Sequence, residues 1–219
     1  FDDLGSPLLQ SYDLAIQPRR WQWVKNSRAG LYVEDENRIY LLQNYSRQLI
    51  HVLPTSTPWY ISDAGTVWWY DAAKNQLSNT AEAAIRIKTA HEIVRIIDLN
   101  RSRVIFETTA GILVVGLGGS EEGKIFELPN GGLHYNQSTN EWLVWSPWEL
   151  WSVYENGSVV LLNRTSEKIK DVLPLDDNGV ILLVGDTALT AFNPGYFINH
   201  ELYRGERITG AIVNQSDRI

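Results

Sequence analysis

The chain has 219 residues, of which 44% are hydrophobic and 11% aromatic, with 9 tryptophans and a formal net charge of −7. Binding to phosphates needs clustered Lys and Arg, so this acidic composition argues against nucleic acid as a partner. The sequence has no cysteine, which excludes disulfides, thiolate nucleophiles and cysteine-ligated zinc.

A polar turn followed directly by a run of strand-forming residues recurs along the chain. In order, the copies are NSRAGLYVED, SDAGTVWWYD, LNRSRVIFET, QSTNEWLVWS and LDDNGVILLVGD, with a sixth, NQSDRI, at the end of the sequence. Their first strand residues are Leu31, Val67, Val104, Trp142, Val180 and Ile219, at intervals of 36, 37, 38, 38 and 39 residues. This spacing predicts a structural repeat of about 38 residues.

Three further short runs complete each repeat. One precedes the turn, as in WYI and IVRIIDL, and two follow the main strand, as in RIYLLQNY and QLIHVL. The second repeat is the weakest, because KNQLSNTAEAAIRI is a poor third strand and is compatible with a helical turn. Four short strands joined by turns in every repeat are typical of a β-propeller blade.

We therefore predict an all-β fold, a single β-propeller domain over residues 1–219 with each main strand second in its four-stranded blade. The length favours six blades, with five as the alternative. The segment SPLLQSYDLAIQP resembles the end of the first repeat, so we expect it to supply the outer strands of the last blade. Residues 208–219 would supply the inner strand, and a blade shared by both termini leaves no open sheet edge.

Two adjacent tryptophans stand in the main strand of the second repeat. Neighbouring side chains on a strand point to opposite faces, so Trp68 and Trp69 require both faces of that strand to be covered. A blade packed between two others buries its inner strands on both sides. We expect both rings to be mostly buried, filling the space between blades.

The turn-and-strand repeats, such as DDNGVILLVGD, resemble those of WD-repeat-like β-propellers and, more loosely, bacterial extracytoplasmic propellers found beside PEGA domains. The resemblance covers essentially the whole chain and rests on repeat period and turn chemistry. The Gly-His and Trp-Asp dipeptides of WD repeats are absent from the sequence. The resemblance implies a ligand or partner surface on one ring face, without implying a reaction.

The candidate binding residues lie in the loops between the second and third strands, which we expect to share one face with the connections between blades. Asp35, Asp71 and Asp186 take matching places in these loops, and Trp148 takes the place in the fourth blade. A Trp ring can stack on a sugar while carboxylates hold its hydroxyls. Two alternatives are that the aspartates are simply turn residues, or that an acid pair cleaves a glycosidic bond.

Other candidate chemistry is weaker. The four histidines, His51, His91, His134 and His200, fall at places expected to point away from one another, so we predict no metal site. GLGGSEEG lacks the spacing of a phosphate loop and leads into a strand, which favours a hairpin loop. We predict no cofactor and no catalytic residue.

These patterns favour a non-enzymatic module that binds a protein or a surface glycan. The alternatives are a glycan-binding or glycan-cleaving propeller and a structural spacer within a larger surface protein. Apolar runs of about five residues predict no membrane insertion of this segment, because a span needs roughly 20. Five Asn-x-Ser/Thr sequons are compatible with a secreted eukaryotic protein. Together with the absence of cysteine, we interpret the pattern as that of a bacterial extracytoplasmic protein, at the cell surface or in the periplasm. The lack of methionine suggests an excised or processed domain.

Overall fold

The structure is a computed structural model that describes residues 18–24, 29–43, 46–117, 124–175 and 179–211. Within these ranges every regular element is a β-strand. In the same part of the chain no helix is long and apolar enough to cross a membrane. The predicted all-β class is therefore confirmed.

The strands form five four-stranded sheets, which we number blades 1 to 5. Blade 1 comprises β1 (Arg20–Val24), β2 (Gly30–Asp35), β3 (Arg38–Gln43) and β4 (Ser46–Val52). Blade 2 comprises β5 (Trp59–Ile61), β6 (Val67–Asp71), β7 (Gln76–Asn79) and β8 (Ala84–Arg86). Blade 3 comprises β9 (Ile93–Leu99), β10 (Arg103–Thr108), β11 (Gly111–Gly116) and β12 (Lys124–Pro129).

Blade 4 comprises β13 (Gly132–Asn136), β14 (Glu141–Trp145), β15 (Glu149–Val153) and β16 (Val159–Arg164). Blade 5 comprises β17 (Asp171–Pro174), β18 (Ile181–Val184), β19 (Ala188–Asn193) and β20 (Ile198–Arg204). Strand order within each sheet follows the chain, and the sheets are antiparallel. These are the four-stranded blades of a β-propeller.

The five main strands predicted from the repeat are β2, β6, β10, β14 and β18, and each lies second in its blade as predicted. β18 begins at Ile181, one residue after the predicted start at Val180. The helical turn considered for the second repeat is wrong, because that stretch forms the short strands β7 and β8.

Residue contacts divide the chain into two compact units. Unit 1 comprises residues 1–73 and 77–84, and unit 2 comprises residues 74–76 and 85–219. Blade 1 and strands β5 and β6 therefore belong to unit 1, whereas blades 3, 4 and 5 belong to unit 2. The single domain predicted over residues 1–219 stays a prediction.

A backbone hydrogen bond recurs where the chain leaves the fourth strand of each blade. An N–H of the outgoing connection donates to a carbonyl in the loop between the second and third strands of the same blade. The pairs, at 2.7–2.8 Å, are Leu53 with Asn37, Ile87 with Asn75, Asn130 with Ala110, Ile169 with Pro147, and Ile208 with Asp186. Loops and connections thus share one end of each blade, as predicted. We call it the rim end, and the opposite end the turn end.

Apolar side chains from neighbouring blades form the cores. In unit 1 the core residues are Val24, Tyr32, Ile39, Leu41, Leu53, Trp59, Ile61 and Val67. In unit 2 one cluster joins blades 3 and 4 and another joins blades 4 and 5, with the adjacent β14 residues Val144 and Leu143 on opposite sides. A strand buried on both faces explains the continuous apolar runs, and each fully buried aliphatic side chain contributes about 1.5–3 kcal/mol.

Trp68 and Trp69 are both partly buried, less completely than predicted. Trp69 packs against the unit 1 core and stacks on His51 of β4, with ring centroids 5.1 Å apart. Trp69 therefore fills space between blades 1 and 2, as predicted from the sequence.

Buried carboxylates also join neighbouring blades. In unit 1, fully buried Glu34 accepts hydrogen bonds from the Arg20 guanidinium and the Trp59 indole, both at 2.9 Å, and from the Ser56 hydroxyl at 2.6 Å. Three donors compensate the desolvation of this charge. Through the hydrogen bond from Trp59, Glu34 connects β2 of blade 1 to β5 of blade 2.

The six-blade prediction assigned both ends of the chain to a last blade. The described residues form five blades, and residues 1–17 and 212–219 lie outside the described part. The predicted hairpin loop GLGGSEEG spans residues 116–123, of which 118–123 likewise lie outside it.

Candidate functional site

The rim end of blades 4 and 5, within unit 2, carries the candidate site. It consists of the β14–β15 loop with Trp148, the β18–β19 loop with Asp186, and the connection from β16 to β17 at residues 165–170. This connection bonds to both loops: Thr165 N–H donates to the Trp148 carbonyl at 3.0 Å, and Thr187 N–H donates to Glu167 at 2.6 Å. Two predicted residues thus share a continuous surface.

Trp148 is held at the backbone and exposed at the side chain. The Ser146 hydroxyl accepts from the N–H groups of Trp148 and Glu149, at 3.3 and 3.1 Å, which closes a tight turn around Pro147. The indole remains 53% exposed, as expected for a residue outside the strand interior. A rigid backbone and an exposed ring make Trp148 suited to stacking on a ligand.

Glu167 fastens the connection to blade 5. Its Oε1 accepts from Thr187 N–H at 2.6 Å, Thr187 Oγ1 at 3.1 Å and Ala188 N–H at 3.1 Å. The Thr187 backbone bond is the main reason that the pKa of Glu167 lies below its usual value. Glycine at position 185 leaves room for this carboxylate, because a Cβ there would lie 2.7 Å from Glu167 Oε1 and would displace it from its hydrogen bonds.

Ion pairs on β16 and β20 surround Glu167. Arg204 bonds to Glu201 at 2.6 Å and lies 3.7 Å from Glu167. Arg164 bonds to Glu149 at 3.0 Å, directly after Trp148 in the chain. These pairs order the long side chains, although exposed ion pairs add little to stability.

A pocket of about 280 Å³ lies between these groups. Its walls come from residues 164–169, from residues 183–185 and from the side of β19 and β20 with Ala188, Thr190, Asn199, Glu201 and Arg204. Hydroxyl, amide and charged groups thus surround an apolar floor at Ile169 and Leu183. Such a mixed lining can hold a polar ligand and orient it through hydrogen bonds.

Asp186 lies at the same rim in an ion pair. Its carboxylate is 2.7 Å from Lys170 Nζ, which also donates to the Ile208 carbonyl at 2.9 Å. The hydrogen bond from Lys170 is the main cause that lowers the pKa of Asp186. Asp186 thereby ties the loop to the connections on both sides of blade 5.

The other two predicted residues lie in unit 1. Asp35 is the last residue of β2 and Asp71 the last of β6, both half-buried at the rim ends of blades 1 and 2. The connection between these blades bonds to the β2–β3 loop, where Leu53 N–H donates to the Asn37 carbonyl, and to strand β6, where Tyr70 N–H donates to the Pro58 carbonyl. The structure thus places Asp35 and Asp71 in unit 1, and Trp148 and Asp186 in unit 2.

The four residues are not at equivalent positions within their loops, contrary to the expected match. The recurring hydrogen bond aligns Asp186 with Asn37 and Pro147, two residues after the strand ends. Asp35 and Asp71 instead end their strands. The loops between the second and third strands differ in length from blade to blade. The four residues therefore lie in or beside the same type of loop, but not at the same position within it.

Several residues of this surface escaped the sequence analysis, chiefly Glu167, Arg164 and Arg204. They belong to the polar stretch RTSEKIK and to the end of β20, which resemble ordinary exposed segments. Glu167 bonds to Thr187, 20 residues further along the chain, and Arg164 bonds to Glu149, 15 residues earlier, so no local motif identifies them. Within the described residues, no group of three or more His, Asp or Glu side chains could hold a metal ion.

Comparison of the sequence with protein-family models and with curated proteins finds no match. Among solved structures, the chain is similar to the β-propeller Hsv2 of Kluyveromyces lactis, at 10% identity and a TM-score of 0.48, covering 85% of this chain and 63% of that one. It is similar to the extracellular domain of BT4673 from B. thetaiotaomicron at 12% identity and a TM-score of 0.48, covering 85% and 28%.

A further similar structure is the extracellular domain of BT3049 from the same organism, at 13% identity and a TM-score of 0.44, covering 85% and 28%. The chain therefore spans less than two thirds of each of these three structures. The assignment of β-propeller blades rests on the strand pairing of the chain itself, with four strands in chain order in each of five sheets.

Proposed function

We propose that this chain is a non-enzymatic binding module whose working surface is the rim end of blades 4 and 5. The observation that supports it is Trp148, whose indole is 53% exposed while its carbonyl accepts a hydrogen bond from Thr165 in the pocket wall. An exposed aromatic ring beside a polar pocket combines an anchor with groups that provide specificity.

The volume of the pocket limits the size of the ligand that it can hold. Its volume of about 280 Å³ lies just below the usual range of roughly 300–1,000 Å³ for small-molecule pockets. It suits one sugar unit of a surface glycan or one protruding side chain of a protein. The hydroxyls of Thr165, Ser166 and Thr190 and the amide of Asn199 favour the glycan, with the Trp148 ring stacked on the next sugar.

Binding without turnover is the form of this function that we propose. A glycosidase needs a carboxylic acid that stays protonated until it donates to the leaving group. The lowered pKa of Glu167 keeps it ionised near neutral pH, and Glu201 is held by Arg204 at 2.6 Å. These two carboxylates are therefore suited to accepting hydrogen bonds from hydroxyls.

An array of neutral, amino and uronic-acid oligosaccharides tests the proposal. We expect the purified chain to bind at least one of them and Trp148→Ala to weaken that binding about 30-fold, equivalent to roughly 2 kcal/mol. Tyr154→Ala is the control, since Tyr154 is exposed at the turn end of the same blade. Binding that survives Trp148→Ala contradicts the proposed site, and binding by no saccharide would leave a protein as the ligand.

We also propose a sixth blade that covers the open face of blade 1. Gln22 exchanges hydrogen bonds with Ile61 of blade 2 at 2.7 and 2.9 Å. The adjacent Trp21 and Trp23 point to the other face and are 70% and 59% exposed. Two open tryptophans on an inner strand are expected where a neighbouring blade would pack.

The end of the described chain supports the same blade count. Ile208 makes the recurring hydrogen bond that Leu53, Ile87 and Ile169 make just before a following blade. The sequence assigned the sixth blade to residues 208–219 and to the N-terminal segment, of which residues 212–219 and 1–17 lie outside the described part of the chain. Deletion of residues 1–17 should then lower the melting temperature and increase acrylamide quenching of tryptophan fluorescence. An unchanged melting temperature would favour five blades.

We place the module outside the cytoplasm, at the cell surface or in the periplasm. A glycan-binding rim would meet its ligand there, and the cysteine-free sequence needs no disulfide to fold in an oxidising compartment. Digestion of an epitope-tagged chain by protease added to intact cells tests this location for a surface protein. Protection in intact cells together with release into the cytosolic fraction would contradict both alternatives.

A further inference from the structure

The turn between β19 and β20 exposes an apolar tip at the turn end of blade 5. It comprises residues 194–197, and its exposed side chains are Tyr196 at 76% and Phe197 at 70%, followed by Ile198 at 59%. Strand β19 is six residues long, so the tip lies roughly 20 Å from the rim end. The tip is therefore distant from the rim loops with Trp148, although Asn199 of the pocket wall directly follows Ile198 in β20.

Two other turns of the chain have the same form. Residues 72–75 and 137–140 are also four-residue turns between strands. The last residue of each turn has a left-handed backbone, with φ of 49° at Asn75, 54° at Asn140 and 55° at Phe197. Phenylalanine thus occupies a position that asparagine fills in the two other turns.

This position is unfavourable for phenylalanine. Asn visits the left-handed region readily because its short polar side chain bonds locally, whereas a bulky residue there costs roughly 1–2 kcal/mol. Burial of the Phe197 ring does not offset the cost, because 70% of the residue is exposed. A strained residue that presents an aromatic ring to solvent indicates selection for something other than stability.

We propose that Tyr196, Phe197 and Ile198 form an interaction surface that inserts into an apolar cleft of a protein partner. Two aromatics at roughly 150–250 Å² each and one isoleucine fall short of the ~800 Å² that each side of a stable interface buries. Two convex tips from two copies would therefore bury too little of each other. A concave cleft encloses the tip and adds contacts from its borders, as at an interaction hot spot.

The turns of blade 4 at its turn end offer contacts to the borders of such a cleft. Blade 4 packs beside blade 5 through a shared apolar core, so its turn end lies on the same side of the two blades as the tip. Its turns at residues 137–140 and 154–158 consist of Gln, Ser, Thr, Asn, Tyr and Gly with one glutamate. Tyrosine with small polar residues is the chemistry of protein-binding loops. Anionic lipid would instead need cations beside the tip.

Substitutions can distinguish the backbone strain at Phe197 from the contact that its ring makes with the partner. Phe197→Asn copies the two other turns and should raise the melting temperature while weakening partner binding more than tenfold. Tyr196→Ser leaves the strained position unchanged, so it should weaken binding similarly without raising the melting temperature. Asn140→Phe, the reverse change in the matched turn, should lower the melting temperature without creating binding.

The full-length protein and these variants are immobilised and exposed to extract of the source organism. Any protein retained by the wild type is purified and titrated against each variant, with hydrogen exchange recorded over residues 193–198. The expected result is one protein that protects these residues and loses affinity with both tip variants.

Four results would overturn the proposal. They are a lower melting temperature for Phe197→Asn, retention of the same proteins by wild type and both tip variants, binding to phosphatidylcholine–phosphatidylglycerol vesicles that needs Phe197, and self-association that Phe197→Asn abolishes. The last two would identify lipid or a second copy as the occupant.

Discussion

The His51 imidazole stacks on the Trp69 indole, with ring centroids 5.1 Å apart and planes inclined by 29°. His51 lies on β4 of blade 1 and Trp69 on β6 of blade 2, so the pair joins two blades within unit 1. The Nε2 atom of His51 is buried without a hydrogen-bond partner. Burial lowers the pKa of His51 below its usual 6.5, because the charged form is poorly solvated there.

This environment predicts acid sensitivity of unit 1. The unfolded chain binds a proton at His51 more readily than the folded chain, so stability rises with pH in this range. The contribution is complete above the unfolded pKa of 6.5 and is lost as the pH falls below it. Urea unfolding at about pH 8 and about pH 5.5 should show a larger loss of stability for the wild type than for His51→Phe.

The other histidines are present in both proteins and cancel in this comparison. Glu167 and Asp186 have lowered pKa values, so their contributions are present above 4.5 and 3.8 and are lost only at lower pH. Between about pH 5.5 and about pH 8, the difference in pH-dependent stability between the two proteins therefore reports on His51. Equal pH dependence of the two proteins would show that His51 is protonated without cost in the folded state.

Trp69→Ala should destabilise unit 1 by about 2–3 kcal/mol, somewhat below the range for a fully buried tryptophan. The ring is only partly buried, but its loss removes the stack on His51 and the contact with the apolar core. Chemical denaturation measures the change. Leu49→Ala is the control from the same unit, because Leu49 of the outer strand β4 is 50% exposed, and a larger loss there would mean that Trp69 contributes little to the core.

Glu34→Ala should cost about 3 kcal/mol or more. The substitution leaves the Trp59 indole N–H and the Arg20 guanidinium without their shared acceptor in a site where Glu34 is fully buried. Glu36→Ala, two residues on and exposed, should change stability by less than about 0.5 kcal/mol. Thermal melts of the two variants give the comparison, and equal melting temperatures would mean that the buried bonds contribute nothing.

The sequence was sufficient to predict the repeat and the second strand of each blade. These strands are buried on both faces, so their apolar runs are continuous and mark a regular period, as at Val104–Phe106 and Ile181–Val184. The pocket beside Trp148 was not predictable, because Glu167 meets Thr187 only when blades 4 and 5 pack. The equivalence expected for Asp35 and Asp186 failed because loop length varies while the strand repeat does not.

Trp148→Ala should leave the melting temperature nearly unchanged, whereas Trp145→Ala, three residues earlier, should cost roughly 3–5 kcal/mol. The two tryptophans share one segment of blade 4, but Trp145 is 7% exposed within the unit 2 core and Trp148 is 53% exposed beyond the strand. The turn around Trp148 is closed by its backbone and by the Ser146 hydroxyl, so truncation of the ring removes no bond that folds it. Calorimetry of both variants decides between an anchor and a packing residue. If Trp148→Ala unfolds the chain as readily as Trp145→Ala, the indole supports the loop, and the rim surface proposed for glycan binding loses its anchor.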